Sequence, residues 1–366
     1  MRVLALEPYY GGSHLAFLDG WSSRSRHEWT ILTLPAYKWK WRMRHAAITF
    51  AREVENRCRQ NANWDVLFCS DMLNLAEFKG LAPQPIRRLP GVAYFHENQL
   101  TYPVRCEDER DYQYAFTNMT TVLAAEQVWF NSAYHRDDFL DALGRLLLRM
   151  PDHQPFEAIE RIRSRSSVQP PGIEPVSPRR PRRAGPVRIL WSARWEFDKD
   201  PETFFAALAR LKKAGTPFRV SVLGQCFRDV PPVFARAKEQ FADSIDHWGY
   251  CETRAEYESV LSEADVVVST ARHEFFGIGL IEAVSAGAFP LVPMRLAYPE
   301  VLRAEGEPDF FYQGGAVELA ERIKQLIERN DLWQGAPDRG RRGVEPYHWP
   351  SRIPQLDAAL ENLVPA

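Results

Sequence analysis

Short apolar runs alternate with longer segments of helical period along nearly the whole chain, which predicts repeated β-α units. In the first part the runs predict strands at residues 3–6, 29–34, 66–69, 92–95 and 128–131, with helices near 14–24, 43–60, 72–80, 109–124 and 133–148. Continuous apolar runs suit parallel strands that are buried on both faces. The first part of the chain is therefore predicted to form a doubly wound α/β domain.

The alternating pattern stops between Gln169 and Pro186, where prolines and arginines dominate. Proline removes a backbone donor and restricts φ, so we predict a Pro/Arg-rich linker at residues 173–186. Beyond it the pattern returns, with strands predicted at residues 187–192, 218–223, 245–248, 265–269 and 289–292 and helices near 201–214, 231–241, 254–263 and 279–286. A second α/β domain of similar plan follows from this pattern.

The predicted fold class is α/β, with two doubly wound Rossmann-like domains that face each other across a cleft. Residues 1–172 and 187–345 are the expected domains, and residues 346–366 form a helical segment that could dock on either, including back on the N-terminal one. Ligands of open α/β sheets bind at the carboxyl ends of the strands. Functional side chains are therefore expected in loops that follow strands.

Composition narrows the classes of protein that fit this pattern. With 45% hydrophobic and 26% charged residues among 366, the chain is neither disordered nor a short regulatory module. It has no apolar run of the roughly 18 residues that a membrane span needs, and its first strand begins at once, so we expect a cytoplasmic protein without a membrane partner. Five widely spaced cysteines without a C-x-x-C pair indicate reduced thiols and no zinc site. Because the net charge is −2, a polyanionic partner would be held by local patches.

The densest chemical signal follows the strand predicted at residues 265–269. Glu274 lies in the loop after it and Glu282 on the next helix, and between them the helix start contains Phe276, Gly277, Ile278 and Gly279. Free N–H groups and the helix dipole favour an anion at such a start. The two carboxylates can accept hydrogen bonds from two parts of one polyhydroxylated ligand. The alternative is a helix start with two solvated glutamates.

A second signal follows the strand predicted at residues 187–192. Arg194 and Lys199 are close enough along the loop to hold one diphosphate and to stabilise a departing phosphate. The alternative is a surface network of opposite charges. Asp198 and Asp200 form a D-x-D that could hold a divalent metal, but the lysine between them favours direct neutralisation of phosphate.

Two loops of the first domain carry further candidates. Gly11, Gly12 and Ser13 follow the first strand and allow close backbone approach to an anion, although an ordinary strand-to-helix turn looks the same. His96 follows a buried strand and could bond a substrate hydroxyl, while Glu97 or Asn98 could orient an acceptor. The alternative is a loop capped by its own side chains.

Cations alternate with aromatic residues near the start of the second helix, at Lys38, Trp39, Lys40, Trp41, Arg42 and Arg44. Cations can bind phosphates while tryptophans stack on bases, so this is the best local candidate for RNA contact. The alternative is a solvated face whose tryptophans pack inward. Hydrolase and metalloprotease functions lack support, since the chain has neither a nucleophile-elbow pattern nor H-E-x-x-H.

These motifs resemble those of known families. Glu274-Phe275-Phe276-Gly277 with Glu282 matches the Glu-x7-Glu motif of retaining GT-B glycosyltransferases, and Arg194 with Lys199 matches the basic diphosphate pair of that group. The chain is most similar to the tRNA-queuosine mannosyltransferase family in three stretches: EPYYGGSH at 7–14, LPAYKWKWR at 34–42 and YFHENQLTYP at 94–103. The resemblance covers nearly the whole chain.

The resemblance implies transfer of mannose from GDP-mannose to queuosine in the anticodon loop of tRNA-Asp, with retention at the anomeric carbon and without a metal or other cofactor. The N-terminal domain would hold the acceptor and the C-terminal domain the nucleotide sugar. RNA binding would rest on the cation and aromatic segment, with help from Arg105, Arg110, Arg339, Arg341 and Arg342.

The resemblance also implies roles for single residues. Glu282 would hold the ribose hydroxyls, Glu274 the mannose hydroxyls, and Arg194 with Lys199 the diphosphate. Backbone amides near Gly12 and from Phe276 to Gly279 would contact phosphate or sugar, and His96 would bond the sugar near the reacting carbon.

Two other functions remain open at this stage. One is a retaining glycosyltransferase that uses another nucleotide sugar and a small-molecule or lipid-linked acceptor. The other is a nucleotide-sugar-binding protein without turnover. Loss of rate with an intact fold on changing Glu274 or His96 would distinguish an enzyme from a binder.

Overall fold

A computed structural model describes residues 1–106, 110–177, 185–226, 229–329 and 336–364. The chain separates into two compact units: unit 1 is Met1–Gly172 together with Trp349–Ala366, and unit 2 is Ile173–His348. Ile173 and Val176, at the start of the predicted linker, are buried in unit 2. The linker arginines Arg179, Arg180, Arg182 and Arg183 lie outside the described residues.

Unit 1 is built on a six-stranded parallel sheet with the order β2-β1-β3-β4-β5-β6. Its strands are β1 (Arg2–Tyr10), β2 (Glu28–Pro35), β3 (Val66–Ser70), β4 (Gly91–Phe95), β5 (Gln127–Phe130) and β6 (Ser166–Val168). Its helices are α1 (Gly12–Ser22), α2 (Trp39–Arg59), α3 (Leu75–Leu81), α4 (Gln84–Arg87), α5 (Tyr112–Ala124), α6 (Ala133–Leu148) and α7 (Glu157–Ser164). Every residue of β3 and β4 is buried, which confirms the expectation from their apolar runs.

Unit 2 repeats this plan with a six-stranded parallel sheet of order β12-β11-β10-β7-β8-β9. Its strands are β7 (Val187–Ser192), β8 (Phe218–Leu223), β9 (Ile245–Gly249), β10 (Val266–Val268), β11 (Phe289–Pro293) and β12 (Phe311–Tyr312). Its helices are α8 (Pro201–Lys213), α9 (Val233–Gln240), α10 (Arg254–Glu263), α11 (Ile278–Ser285), α12 (Tyr298–Val301), α13 (Ala316–Glu328) and α14 (Ala336–Val344). The predicted α/β fold class is confirmed.

Helix starts follow side-chain caps that the sequence contains. Ser132 accepts a hydrogen bond from the backbone N–H of His135 at the start of α6, and Thr253 accepts one from Glu256 at the start of α10. Asp200 caps α8, whose first residue is Pro201. These caps satisfy free N–H groups of the first turn, which explains why α6, α8 and α10 begin where the sequence pattern predicts.

The last helix, α15 (Trp349–Glu361), belongs to unit 1. The Trp349 ring packs closely on two glycines, since a Cβ atom added at Gly20 or Gly172 would lie 2.3 or 2.1 Å from it. Trp21 donates its indole N–H to Asp357 Oδ1 at 2.7 Å. Helix α15 therefore completes the core of unit 1, although it follows the whole of unit 2 in the sequence.

No helix within the described part of the chain is both long enough and apolar enough to cross a membrane.

Candidate active site

The loop between β10 and α11 has a conformation that close contacts determine. Gly277 precedes α11 with φ 92°, and a Cβ atom there would lie 3.2 Å from the Tyr298 ring. The hydroxyl oxygens of Tyr298 and Ser269 are in turn 2.6 Å apart. Glycine is required at this position because other residues rarely adopt positive φ. The loop thus presents Glu274 beside the start of a helix.

Glu274 lies against the buried ammonium group of Lys199. Lys199 Nζ donates to the His273 carbonyl oxygen at 2.6 Å and to Glu274 Oε2 at 3.3 Å, and it is 3.2 Å from Asp198 Oδ2. Burial by itself would raise the pKa of Glu274, but the charges of Lys199, His273 and Arg194 and the hydrogen bond from Lys199 together outweigh it, so the pKa lies below its usual value. The carboxylate is therefore ionised and held next to a cation.

The second acid of the D-x-D motif has a structural role here. Asp200 accepts hydrogen bonds from the Thr203 backbone N–H and hydroxyl group at 3.3 and 2.9 Å, and Arg272 Nε donates to its Oδ2 at 3.0 Å. Asp198 faces Lys199 instead. The two acids therefore contact different partners, Asp200 the start of α8 and Arg272, and Asp198 the ammonium group of Lys199.

Arg194, the other predicted cation, lies nearer the surface. Its side chain is 39% exposed and forms an ion pair with Glu196 at 3.3 Å. It is close enough to Glu274 to help lower the pKa of that carboxyl group. The structure thus brings Arg194, Lys199 and Glu274 together at the carboxyl ends of β7 and β10.

Glu282 points from α11 toward α10. Arg254 Nη1 donates to its Oε1 at 2.7 Å, and the Tyr257 hydroxyl group donates to its Oε2 at 2.8 Å. Sequence analysis missed Arg254 and Tyr257, since both lie on a helix that is remote in sequence and carries no motif. Each carboxylate oxygen of Glu282 retains a second lone pair for a ligand hydroxyl group.

A buried polar cluster lies at the carboxyl ends of β1, β3 and β4 in unit 1. Glu7 Oε2 is 3.2 Å from His14 Nδ1, and Glu7 Oε1 accepts from the Ser70 hydroxyl group at 3.0 Å. The His14 and His96 rings are 4.1 Å apart between centroids. Asp71 Oδ1 accepts from the His96 backbone N–H at 2.9 Å. Sequence analysis singled out His96 but not Asp71, which the end of the buried strand β3 could have indicated.

The pKa values in this cluster depart from their usual range because its groups are buried and close together. Burial opposes a charge on His14, but Glu7 outweighs it and raises the pKa of His14 to about 9. Burial, followed by the charge of His14, holds the pKa of His96 well below its usual value. Burial also raises the pKa of Asp71, to about 8, although His14 opposes that rise. The cluster therefore holds a proton on His14 and leaves His96 neutral.

The geometry of the two histidines bears on metal binding. Glu7, His14 and His96 each offer a ligand atom within 4.8 Å of the others, as do His247, Cys251 and Glu256 in unit 2. A metal ion lies in the plane of each imidazole ligand, about 2.0–2.1 Å from its nitrogen. Two rings inclined by only 35° at a separation of 4.1 Å do not point their lone pairs at one such position. In this conformation the rings do not fit a shared metal ion.

The predicted acceptor residue Asn98 is placed differently from expectation. It is completely buried, and its Oδ1 accepts from the backbone N–H groups of Leu100 and Thr101 at 3.0 and 2.9 Å. Its amide group therefore holds the loop after β4 and is withdrawn from an acceptor. Glu97 is half-buried and accepts from Gln99 Nε2 at 3.3 Å.

The first-domain glycines lie where predicted, between β1 and α1. A Cβ atom at Gly11 would lie 2.5 Å from Ala36 Cβ, so this glycine permits close packing against the residue after β2. Gly12 has φ 54° and open space around it, and Ser13 is exposed. Gly12 and Ser13 are thus accessible, while Gly11 has a packing role.

The cation and aromatic segment divides into an exposed and an inward-facing set. Tyr37 and Trp41 are 58% and 60% exposed, and Lys38, Lys40 and Arg44 are also exposed. Arg42 is buried, donates to the Pro35 carbonyl oxygen at 3.0 Å and lies under the Tyr37 ring. Trp39 is half-buried with its ring 5.0 Å from that of Tyr114. Arg42 and Trp39 therefore support the helix start, and the remaining side chains form the accessible surface.

The other predicted RNA-binding arginines are distributed over both units. In unit 1, Arg105 is exposed and Arg110 donates to the Tyr102 carbonyl oxygen at 3.0 Å. In unit 2, Arg339 pairs with Glu307 at 3.0 Å, and Arg341 donates to the Ser285 carbonyl oxygen at 3.2 Å. Arg342 is exposed. Arg110, Arg339 and Arg341 therefore each contact a residue of their own unit.

Comparison with known structures supports the fold described above. Sucrose-phosphate synthase from Thermosynechococcus elongatus superposes with a TM-score of 0.74 at 14% identity, covering 99% of each chain. Anabaena HepE in complex with UDP superposes with a TM-score of 0.69 at 15% identity, covering 99% of this chain and 100% of that one. At such identities the likeness shows the fold alone, which is the two-domain α/β GT-B fold.

Sequence comparison resolves the family. Residues 2–173 match the family described as "tRNA-queuosine alpha-mannosyltransferase N-terminal", and residues 174–341 match "Glycosyl transferases group 1". A Mycobacterium tuberculosis protein named GDP-mannose-dependent alpha-(1-6)-phosphatidylinositol dimannoside mannosyltransferase is 26% identical over 161 residues, 41% of each chain. The tRNA-queuosine alpha-mannosyltransferase of Drosophila melanogaster is 35% identical over 316 residues, 83% of this chain and 82% of that one. This chain is an enzyme of the glycosyltransferase class and belongs to the tRNA-queuosine alpha-mannosyltransferase family.

Proposed function

We propose that this enzyme transfers mannose from GDP-mannose to queuosine in the anticodon loop of tRNA-Asp, with retention of configuration at the anomeric carbon. The observation that carries the proposal is the contact between Lys199 and Glu274 beside the start of α11, in a chain of this family. The contact supports the proposal because a nucleotide sugar needs positive charge beside its diphosphate and a hydrogen-bond acceptor beside its sugar hydroxyl groups. The GDP-mannose dependence in the name of the mycobacterial relative supports the choice of donor.

Unit 2 offers separate partners for the parts of the donor. Glu274 accepts hydrogen bonds from mannose hydroxyl groups, and Glu282 accepts from the ribose with its remaining lone pairs. Lys199 and Arg194 supply positive charge to the diphosphate, and the N–H groups at the start of α11 add a partial positive charge. In our proposal these cations take the place of a metal ion, so the transfer requires none.

Retention follows in this proposal from attack on the face of the sugar that the leaving group departs from. The bond between the mannose C1 and the phosphate oxygen breaks, and a bond from C1 to the queuosine hydroxyl oxygen forms on the same face. The hydroxyl proton passes to the departing phosphate oxygen, which leaves GDP and mannosylated queuosine. Because the acceptor hydroxyl attacks C1 directly and the phosphate takes its proton, the reaction needs neither a nucleophile nor a base from the protein. Lys199 and Arg194 stabilise the charge that develops on the phosphate.

The acceptor side of the proposal rests on two features of unit 1. His96 lies after β4 and is half-buried, so its ring can meet a sugar or acceptor hydroxyl group. The exposed Tyr37 and Trp41 lie among Lys38, Lys40 and Arg44, which suits stacking on unpaired bases with contact to phosphates. An anticodon loop offers both unpaired bases and phosphates.

A second acceptor class is favoured by one observation. The mycobacterial relative, matched over 161 residues, is named for transfer to a phosphatidylinositol dimannoside. An enzyme with a lipid-linked acceptor would keep the donor site of unit 2 and would not use the cation and aromatic surface of α2. The dependence of acceptor affinity on salt separates the two, since only a polyanion shows a steep dependence.

The direct test is incubation of the purified protein with queuosine-containing tRNA-Asp and GDP-mannose, followed by mass spectrometry of the nucleosides. We expect one hexose added to queuosine, and no addition with UDP-sugars or with tRNA that lacks queuosine. Retention is checked by the anomeric configuration of the product. GDP binding without any product on tRNA would retain the donor site and overturn the tRNA acceptor.

A further inference from the structure

The two histidines whose rings are in contact in unit 1, His14 and His96, differ in their surroundings. His14 lies on the first turn of α1 and is hydrogen-bonded through Nδ1 to Glu7. Within the described part of the chain, the ring nitrogens of His96 make no hydrogen bond. The contacts of His96 are hydrogen bonds of its backbone N–H and carbonyl groups and packing of its ring against other aromatic rings. The carboxylate partner thus belongs to His14, and the nitrogens of His96 are available to a ligand.

Glu7 is held so that it cannot turn away from His14. Its Oε1 accepts from the Tyr9 backbone N–H at 2.8 Å and from the Ser70 hydroxyl group at 3.0 Å, which leaves Oε2 facing His14. Glu7 and His14 are 3% and 5% exposed. A buried carboxylate with this geometry needs a positive partner, because an unpaired buried charge is strongly destabilising.

Further charged groups face the same histidines. Asp71 is completely buried, and its Oδ2 has no hydrogen-bond partner among the residues that the structure describes. Glu97, which follows His96 in the sequence, helps raise the pKa of His14, while the charge of His135 on α6 helps lower the pKa of His96. Tyr94 of β4 and Phe17 of α1 contact the His96 ring at 4.7 and 5.3 Å between centroids. Three carboxyl groups therefore surround the pair, and the cluster attracts a proton.

We infer that Glu7 and His14 are positioning residues for His96: Glu7 holds the proton of the cluster on His14, and the His14 ring, in contact with the His96 ring, keeps that ring neutral and oriented. The inference rests on the proposed function in so far as His96 meets the substrate. A neutral imidazole offers one acceptor and one donor nitrogen, whereas a protonated one offers donors only. The pair thus preserves the acceptor nitrogen with which His96 bonds a hydroxyl group.

The pKa directions agree with this arrangement. Despite burial, Glu7 raises the pKa of His14 to about 9, and burial together with His14 lowers the pKa of His96. Without the positive charge of His14, the repulsion that opposes a proton on His96 would be lost, and the Glu7 carboxylate, with an oxygen within 4.8 Å of a His96 ring nitrogen, would act on that ring. Its pKa would then rise, and it would carry the proton that His14 carries now.

The test follows the protonation of each histidine in the full chain. Protein labelled with 13C at the histidine Cε1 atoms is titrated by NMR from pH 5 to 9, and the spectra of His14→Asn and His96→Asn assign the two resonances. In the unchanged protein we expect His14 to stay protonated through neutral pH and His96 to stay neutral. In His14→Asn we expect the His96 titration to move up by about one pH unit or more. Removing the carboxylate as well, in the Glu7→Gln/His14→Asn double variant, should move it down again.

A second variant guards against misfolding of His14→Asn. In Glu7→Gln the side chain keeps its shape and loses its charge, so the His14 titration should fall by about one unit or more. Transfer rates at pH 6 and pH 8 supply the functional readout. We expect His14→Asn to lose rate several-fold more at pH 6 than at pH 8, with donor KM little changed.

Two results would overturn the inference. One is a His96 titration that is the same in the unchanged protein and in folded His14→Asn. The other is a loss of rate in His14→Asn that is equal at both pH values, as a merely structural role would give. The NMR titration uses no substrate, so a protein with the expected titrations and no mannose transfer would refute the proposed function and leave the proton arrangement intact.

Discussion

Lys199 and His14 are buried basic residues, the first in the proposed donor site of unit 2 and the second in the polar cluster of unit 1. Lys199 is 5% exposed and faces Asp198 and Glu274, while His14 is 5% exposed and faces Glu7. Glu274 reaches Lys199 from another loop of unit 2, and Glu7 reaches His14 from β1 of unit 1. Because the charges are mutually dependent, changing one partner alters the charge state or the position of the other.

Glu274→Gln tests the charge of the proposed donor site. The amide keeps the shape of the side chain but does not balance Lys199 or accept as strongly from mannose hydroxyl groups. We expect transfer to slow by about 100-fold or more, the range for loss of a preorganised polar contact, with the midpoint of thermal unfolding changed by a few degrees at most. Initial rates and a melting curve measure both. Glu321→Gln, on an exposed position of α13, is the matched control and should leave both unchanged.

The raised pKa of His14 makes stability depend on pH. The folded value is about 9 and the ordinary value 6.5, so between these the folded protein keeps a proton that the unfolded chain loses. The contribution to stability is therefore complete below pH 6.5 and is lost as the pH rises to 9. Denaturant unfolding at pH 6.5, 7.5 and 9 should show falling stability. His14→Asn should show a smaller fall, and an equal slope in both proteins would contradict the assignment.

Helix starts position the functional groups at the scale of single elements. Helix α11 begins after Gly277, which has positive φ, and α8 begins after Asp200, whose side chain caps it. Helix α2 begins after Lys38, which has φ 54°. Each start follows a strand or its loop and lies at a predicted functional segment. The geometry of these short turns decides where Glu274, Lys199 and the exposed cations of α2 lie.

Gly277→Ala tests the turn before α11. An alanine there would have to adopt φ 92°, which is unfavourable for a residue with a side chain, and its Cβ atom would lie 3.2 Å from the Tyr298 ring. We expect a loss of about 2 kcal/mol in the free energy of unfolding and weaker GDP binding, since the loop must shift. Gly215→Ala is the matched control, because Gly215 has φ 72° and nothing within 4 Å. It should lose about 1 kcal/mol through φ alone and bind GDP normally. Equal effects on GDP binding would argue against a specific role for the turn.

Charge reversal tests the start of α2. Lys38 and Lys40 are exposed beside Trp41, so Lys38→Glu/Lys40→Glu should weaken tRNA binding about tenfold or more and reduce its dependence on salt. GDP binding should be unchanged. Filter binding over a range of salt concentrations and calorimetry with GDP measure these quantities. Lys213→Glu, an exposed position on α8, is the control. Loss of both tRNA and GDP binding, or of neither, would count against the surface.

The whole molecule consists of two units of similar plan with the last helix returned to the first. Asp357 accepts from the Trp21 indole N–H at 2.7 Å, from the Ser25 hydroxyl group at 2.7 Å and from the Arg26 backbone N–H at 3.0 Å. It is 1% exposed. Unit 1 therefore depends on residues that follow the whole of unit 2 in the sequence.

Asp357→Ala tests this dependence. It leaves the buried Trp21 indole N–H without an acceptor, which costs about 1–3 kcal/mol, and removes two further hydrogen bonds, from the Ser25 hydroxyl group and the Arg26 backbone N–H. We expect unit 1 to become less stable by several kcal/mol while unit 2 is unaffected. Hydrogen exchange followed by mass spectrometry reports each unit separately. Glu361→Gln, which alters an ion pair with the half-exposed Arg26, should change little. Equal loss of protection in both units would contradict the division.

The periodic pattern was sufficient for most of the fold because helices and buried strands differ in the spacing of apolar residues. It predicted five strands in each half, and the structure contains all of them, β7 and β8 with the predicted ends and the others with shifted ends. It did not reveal β6, which is a short edge strand, or β12, which has two residues. It also missed α13, although that helix is amphipathic and 13 residues long. Short edge strands escape such analysis because they lack a continuous apolar run.

The sequence alone determined the two α/β units and the loops in which Glu274, Lys199 and His96 lie. The reason is that the spacing of apolar residues and the positions of turn-forming residues are local properties of the sequence. Tertiary structure decided the partners of those residues. Glu282 meets Arg254 and Tyr257, Lys199 meets Glu274 across two loops, and His14 meets Glu7 and His96. The parallel sheets bring these side chains together from distant parts of the sequence, and their burial determines which of them carry charge.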